Sequence, residues 1–103
     1  LAGWQVLCLG ADVPGPETVE CAIDWRADLL GLSVAFAQQM RSVREITSRF
    51  RETADGGGPP VLVGGIAANR YPWLARAMGA NAIAANSRDA VETANSLVAA
   101  RNV

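Results

Sequence analysis

The chain contains 103 residues, half of them hydrophobic, and carries a net charge of −1 at pH 7. This length and composition predict one small globular domain over residues 1–103 rather than a disordered segment. The balanced charge gives no basis for direct contact with nucleic acid, and no apolar run approaches the roughly 20 residues that cross a membrane.

Strands and helices are predicted to alternate along the first half of the chain. Residues 4–10 form a mostly apolar run that is typical of a strand covered on both faces. A loop follows over residues 11–15, and a helix begins at Pro16. Residues 28–35 form a second apolar strand, and residues 39–52 form an amphipathic helix. The predicted buried positions of the two helices are Val19, Ala22, Ile23, Met40, Val43, Ile46, Thr47 and Phe50.

The same alternation continues in the second half. A glycine-rich loop over residues 53–59 leads to a strand over 60–65, a short helix over 71–78 and a short strand over 81–85. Ser87 is the predicted N-cap of the last helix. The buried face of that helix is predicted to contain Ala90, Val91, Ala94, Leu97 and Val98. Because β and α segments alternate, we predict an α/β fold with a doubly wound parallel sheet.

Small polar residues and glycines stand at the ends of three predicted strands, where parallel sheets bind ligands. The hydroxyl of Ser33 has two equally compatible roles, a bond to the local backbone or a bond to a ligand. Gly64 and Gly65 allow a backbone to pass close to a ligand, but a simple turn also explains them. No third glycine completes a dinucleotide fingerprint. Asn86 can cap the last helix or face the same edge.

Several residue types that carry chemistry are absent or isolated. The sequence has no His and no Lys, which removes the usual general base, the commonest metal ligand and Schiff-base chemistry. The acidic residues form no catalytic pair, so no catalytic residue is predicted. Cys8 and Cys21 have no CxxC neighbour and are interpreted as buried free thiols, which favours a cytoplasmic location.

Five short motifs occur in order over nearly the whole chain. They are Leu-Gly at residues 9–10, Val-Pro at 13–14, Ala-Asp-x-x-Gly-Leu-Ser at 27–33, Val-Gly-Gly at 63–65 and Gly-Ala-Asn at 79–81. Each motif is short, but their order and spacing together are specific. In this pattern the chain resembles the cobalamin (vitamin B12)-binding domain family.

The resemblance implies a flavodoxin-like (Rossmann-like) fold that holds the nucleotide tail of cobalamin in a slot at the sheet edge. Ser33 matches the family serine whose hydroxyl bonds the dimethylbenzimidazole base, and Ala35 stands where Leu or Thr is more usual. Gly64 and Gly65 match glycines whose backbone lines the tail, and Asn86 lies near the far end of the slot. The cofactor-binding residues implied in this way are Ser33, Val34, Ala35, Gly64, Gly65, Ile66 and Asn86.

The N-terminal part of the family pattern has no counterpart in this sequence. In the family, an Asp-x-His-x-x-Gly loop and a central strand precede the region matched here, and the loop His is the lower ligand of cobalt. Because the chain contains no His, we expect it to be N-terminally truncated, to lack the first strand and to supply no metal ligand. The missing part is expected from upstream sequence or from another copy of the protein, which allows a homo-oligomer.

Three functions agree with the resemblance. The first, which we favour slightly from the sequence Ser33-Val34-Ala35 and the chain end soon after the last helix, is a module of a B12-dependent sensor or transcriptional regulator. The second is the corrinoid-carrying domain of a methyltransferase or mutase. The third is a flavodoxin-like interaction domain that has lost its ligand. In the first two, the domain holds and orients the cofactor while cobalt performs the chemistry.

Overall fold

Four parallel strands form a continuous sheet at the centre of the computed structural model, which describes residues 6–10, 15–53 and 58–101. The strands are β1 (Val6–Gly10), β2 (Leu29–Ser33), β3 (Val61–Gly64) and β4 (Ala82–Ile83). They pair in the order β1-β2-β3-β4, so that β1 joins β2 directly and the described sheet has no gap. The predicted parallel α/β sheet is confirmed; residues 4 and 5 of the first predicted strand lie outside the described residues.

Helices pack on both faces of this sheet, as in flavodoxin-like folds. They are α1 (Gly15–Asp24), α2 (Met40–Thr53), α3 (Ile66–Arg70), α4 (Pro72–Ala77) and α5 (Ser87–Arg101), with a single 3₁₀ turn at Ala37–Gln39. The predicted loop positions 11–14 and 54–57 fall outside the described residues. Within the described ranges, no helix is long and apolar enough to cross a membrane.

One face of the sheet is covered by helices over β2 and β3, and we call it the closed face. It consists of Leu30, Leu32, Val34, Val61 and Val63, all buried. Helices α1 to α4 pack against it through one continuous apolar cluster. Every predicted buried position of α2 lies in this interior, with Val43 and Ile46 completely inaccessible to solvent. The closed face therefore contains most of the hydrophobic core.

The opposite face is only partly covered, and we call it the open face. Its residues alternate along the strands with those of the closed face, because successive side chains of a strand point to opposite sides. They are Val6, Cys8, Leu29, Gly31, Ser33, Leu62 and Gly64. Helix α5 packs against Leu29 and Leu62 through Ala94 and Val98. On the β1 side, Cys8 is exposed.

Helix α3 was not predicted from the sequence. It has five residues and begins directly after Gly65, so it is too short to produce a periodic apolar pattern. Its buried residues, Ala67 and Ala68, join the core on the closed face. Two predicted buried positions were also wrong, because Ile23 is 44% exposed and Val91 is 52% exposed.

Helix α1 ends in a Schellman motif that lacks the usual glycine. Ala27 N donates to Ala22 O, and Arg26 N donates to Ile23 O. Arg26 has a φ of 51°, the left-handed conformation that this motif requires. The motif turns the chain sharply into β2, at the cost of a conformation that side chains disfavour.

Candidate cofactor site

A cavity of about 970 Å³ lies over the open face. Its lining comes from β1 and β2, the turn between β3 and α3, the connection between β4 and α5, and the first turns of α5. This volume is in the range of small-molecule binding sites. The cavity reaches the carboxyl ends of β1, β2 and β3, the edge at which parallel sheets bind ligands.

Small residues on its floor and wall create this space. A Cβ atom at Gly31 would lie 3.1 Å from Cys8 Sγ, and one at Gly64 would lie 3.7 Å from Ala84 O. From the side of α5, Ala90 and Ala94 line the cavity. A larger side chain at these positions would project into the cavity, so the space follows directly from the sequence.

Ser33 is the polar residue at the end of β2. It is exposed, lines the cavity, and lies beside Gly10 and Gly64 in the parallel register. Its hydroxyl makes no hydrogen bond with any residue in the described part of the chain. Of the two roles open from the sequence, the local backbone bond is not seen there, and the hydroxyl is available to a ligand.

The turn after β3 depends on Gly65. Its φ is 99°, and an added Cβ would lie 2.5 Å from Val34 O. The turn is held by Val34 N, which donates to Gly64 O at 2.8 Å, and by Ala67 N, which donates to Val34 O at 3.1 Å. This conformation is essentially restricted to glycine. The chain thereby places the backbone of Gly65 against the cavity.

Asn86 caps α5 and also lines the cavity. Asp89 N donates to Asn86 Oδ1 at 2.9 Å, and Ala85 N donates to Asp89 Oδ2 at 2.8 Å. The first bond satisfies a backbone N–H in the first turn of α5, and the second ties the residue just before the cap to the side chain of Asp89. The N-cap is therefore Asn86, and the prediction of Ser87 was wrong by one residue. The cap occupies the Asn86 oxygen and leaves its Nδ2 without a hydrogen bond among the described residues.

The structure brings most of the predicted cofactor residues together. Those that line the cavity are Ser33, Gly64, Gly65, Ile66 and Asn86. Ile66 is 76% exposed, whereas Val34 is completely buried in the closed face. The backbone N of Ala35 donates to Gln39 Oε1. Neither Val34 nor Ala35 is among the described residues that line the cavity.

Among the lining residues that were not recognised from the sequence, Cys8 and Asn69 contribute side chains with polar or reactive groups. Cys8 was expected to be buried, but it is an exposed free thiol on the cavity wall, while Cys21 is half-buried on α1. The side-chain amide of Asn69 contacts the backbone at two points of the cavity mouth. No pattern in the sequence links Asn69 to a residue fifteen positions away.

The cavity offers mainly binding groups. Its polar contributions are a hydroxyl, amides and backbone groups, together with the Cys8 thiol, set in a mainly apolar lining. Among the residues that the structure describes, no three His, Cys, Asp or Glu side chains lie close enough together to hold a metal ion. The arrangement is suited to holding a flat apolar ligand that makes few polar contacts.

Comparisons with known proteins agree with this geometry. The family model described as the B12 binding domain matches residues 1–95. Dimethylamine corrinoid protein 2 of Methanosarcina acetivorans is 33% identical over 97 residues, which cover 94% of this chain and 44% of the relative. Dimethylamine corrinoid protein 3 of Methanosarcina mazei is 32% identical over 98 residues, covering 95% of this chain and 58% of the relative.

The chain thus spans about half the length of these curated relatives. The similarity nevertheless extends over nearly all of its own residues, including every strand that the structure describes. The fold, the cavity at the carboxyl ends of the strands and the match over residues 1–95 lead to one assignment: the chain belongs to the B12 binding domain family, whose cofactor is cobalamin.

Proposed function

We propose that this domain carries a corrinoid for a methyltransferase and holds the nucleotide tail of the cofactor in the cavity over the open face. The main support is the set of corrinoid proteins at 31–33% identity, all named for dimethylamine. The methyltransferase is the proposed partner. When bound, cobalamin supplies a cobalt atom that can accept a methyl group and give it up again.

The residues of the cavity fit the tail of this cofactor. A flat aromatic base needs an apolar slot, and the glycines Gly31 and Gly64 leave that space free. The Ser33 hydroxyl, which has no partner within the described residues, is placed to bond the base. The backbone at Gly65 and the Nδ2 of Asn86, which has no partner among the described residues, add polar contacts along the slot.

The same residues give this chain the role of holding the cofactor. Without His, the chain cannot place an imidazole on cobalt, so its contribution is to bind the tail, orient it and exclude water from the slot. Ser33 fixes the base by a directional hydrogen bond, whereas the apolar wall favours burial of the ring faces. The methyl transfer itself requires the cofactor and the partner enzyme.

The sensor interpretation remains an alternative with weaker support. It depended on the residues after β2 and on where the chain ends, and no relative reported above is named as a regulator. The backbone N of Ala35 donates to Gln39, and Ala35 is not among the described residues that line the cavity. The presence of Ala35, where Leu or Thr is more usual in the family, therefore has little effect on the slot. A domain that has lost its ligand would have no reason to keep a cavity with an available hydroxyl.

The test loads the full chain with methylcobalamin that carries a radiolabelled methyl group, and removes free cofactor by gel filtration. A methyltransferase that transfers methyl groups from corrinoids to a thiol is then added together with the thiol. We expect label to appear in the thiol product while the corrinoid stays with the protein. Ser33→Leu should fail to retain the cofactor, whereas the matched control Ser96→Leu, on the exposed side of α5, should retain it.

Three other outcomes would contradict the carrier function or the placement of the cofactor. If label leaves the protein only together with released cofactor, the carrier function is wrong. If illumination instead changes the molar mass of the loaded protein in light scattering, the sensor function is favoured. Protein that stays colourless after loading would contradict placement of the cofactor in this chain.

A further inference from the structure

The side chain of Asn69 joins two backbone segments at the mouth of the cavity. Its Nδ2 donates to Gly65 O at 3.0 Å and to Ala84 O at 2.8 Å. Gly65 belongs to the turn after β3, and Ala84 belongs to the connection between β4 and α5. One amide group, located in α3 and lining the cavity, therefore links two of the segments that enclose the proposed slot.

The connection after β4 has few other restraints. β4 contains two residues, so its pairing with β3 ends at Val63 and Ile83. Beyond it, Ala84 N donates to Val63 O at 2.9 Å, and the carbonyl of Ala84 is held by Asn69. The next interactions along the chain are those of the α5 cap.

The restrained carbonyl lies directly beside the floor of the slot. Ala84 O is 3.7 Å from the position that a Cβ of Gly64 would occupy. Any outward movement of Ala84 widens the space above Gly64, and it also moves Asn86 at the start of α5. The distance between these segments determines how closely a flat ring can be enclosed.

We propose that Asn69 is a positioning residue that sets the width of the slot and thereby gives the domain its preference for corrinoids with a complete nucleotide tail. This inference depends on the proposed placement of the tail in the cavity. Asn69 acts through the backbone of Ala84 and Gly65. Its contribution is directed at the tail and leaves the corrin ring unaffected.

The experiment titrates the full chain with two probes, hydroxocobalamin and cobinamide, the corrinoid that lacks the nucleotide. Asn69→Ala removes both hydrogen bonds. Asn69→Ser keeps a hydroxyl that can bond the carbonyl four residues earlier, Gly65 O, but cannot also reach Ala84. Asn95→Ala is the matched control, since Asn95 is exposed on α5 and does not line the cavity. Thermal unfolding of every variant reports whether it folds.

We expect both Asn69 variants to bind hydroxocobalamin about tenfold more weakly, because both lose the bond to Ala84 O, a hydrogen bond of ordinary net strength. Binding of cobinamide should stay at the wild-type value, and Asn95→Ala should behave as wild type with both probes. If Asn69→Ala unfolds, Asn69→Ser alone carries the comparison, because it retains the bond within α3.

Other results overturn the inference. Equal weakening for both probes would mean that Asn69 only stabilises the fold, and wild-type selectivity in Asn69→Ser would mean that the bond to Ala84 is irrelevant. In either case the proposed cofactor site stands. If the wild-type chain binds hydroxocobalamin no better than cobinamide, the tail does not occupy the cavity, and the site assignment fails together with the inference.

Discussion

The two faces of the sheet are built from the same strands and serve different purposes. On the closed face, the β2 residues Leu30 and Leu32 are buried beneath four helices. On the open face, Gly31 and Ser33 of the same strand border a cavity. Burial of large side chains makes the closed face the main source of stability. The open face lacks such burial and borders the cavity that we propose as the cofactor site, so stability and binding should respond to separate substitutions.

The largest effect is expected from the closed face. Ile46 is completely buried on α2, and Ile46→Ala should lower the free energy of unfolding by about 3–4 kcal/mol through lost burial and a residual cavity. Ile23→Ala removes the same atoms from a side chain that is 44% exposed and should cost less than about 1 kcal/mol. Urea denaturation measures both. Equal losses would mean that the closed face is not the main core.

Gly64 and Gly65 test whether folding stability and the open space of the cavity depend on different residues. Gly65→Ala forces a side chain into a φ of 99° against Val34 O and should cost about 2 kcal/mol of folding stability. Gly64→Ala places its Cβ 3.7 Å from Ala84 O, an ordinary contact, and should change stability by less than about 0.5 kcal/mol.

For cofactor binding the order of the two effects should be the opposite: Gly64→Ala should weaken binding more than Gly65→Ala does. The methyl group of Gly64→Ala lies on the cavity side and should weaken hydroxocobalamin binding in a protein that remains fully folded. Absorbance titration and urea denaturation of the two variants provide the comparison. If Gly64→Ala is as unstable as Gly65→Ala, the space above Gly64 is structural rather than reserved for a ligand.

The alkylation rates of the two cysteines report whether a ligand occupies the open face, and they can be measured in the protein without any substitution. Cys8 is exposed on the cavity wall, whereas Cys21 lies half-buried on α1 and does not line the cavity. Hydroxocobalamin should slow alkylation of Cys8 by iodoacetamide in proportion to the fraction of protein that holds cofactor. Cys21 should react at an unchanged rate. Mass spectrometry of the two peptides gives both rates, and equal protection would indicate general tightening of the fold instead.

The smallest expected effect is a gain in stability remote from the cavity. Arg26 ends α1 with a φ of 51°, which glycine adopts without the steric cost paid by other residues. Arg26→Gly should raise the free energy of unfolding by about 0.5–1 kcal/mol. Affinity for hydroxocobalamin should not change, because Arg26 is not among the described lining residues. A change in affinity would show that the two faces are coupled.

Sequence reasoning succeeded where a periodic signal was long enough. The apolar runs located β1, β2 and β3, a short strand was also predicted where β4 lies, and the stripe from Met40 to Phe50 identified the buried side of α2. Ser33 was selected because it ends a strand, and it does line the cavity. Helix α3 was missed because five residues after a glycine turn contain little more than one helical period.

Other features depend on contacts between distant parts of the chain. Cys8 belongs to an apolar run, and such a run does not reveal which side of the strand remains uncovered. The role of Asn69 follows from a hydrogen bond to Ala84 O, fifteen residues away, whose geometry appears only after α3 and β4 are in place. The cavity likewise forms between separate parts of the chain, with Gly31 of β2 and Gly64 of β3 on the floor and α5 on the wall.

The strict alternation within β2 has a consequence for insertions and deletions. Losing one residue between α1 and Leu30 would invert the strand, turning Leu30 and Leu32 towards the cavity and Gly31 and Ser33 towards the helices. Such a change would fill the cavity and remove two large side chains from the core in a single step. Length variation should therefore be tolerated in surface loops of this domain and excluded from the short connection that contains Ala27 and Asp28.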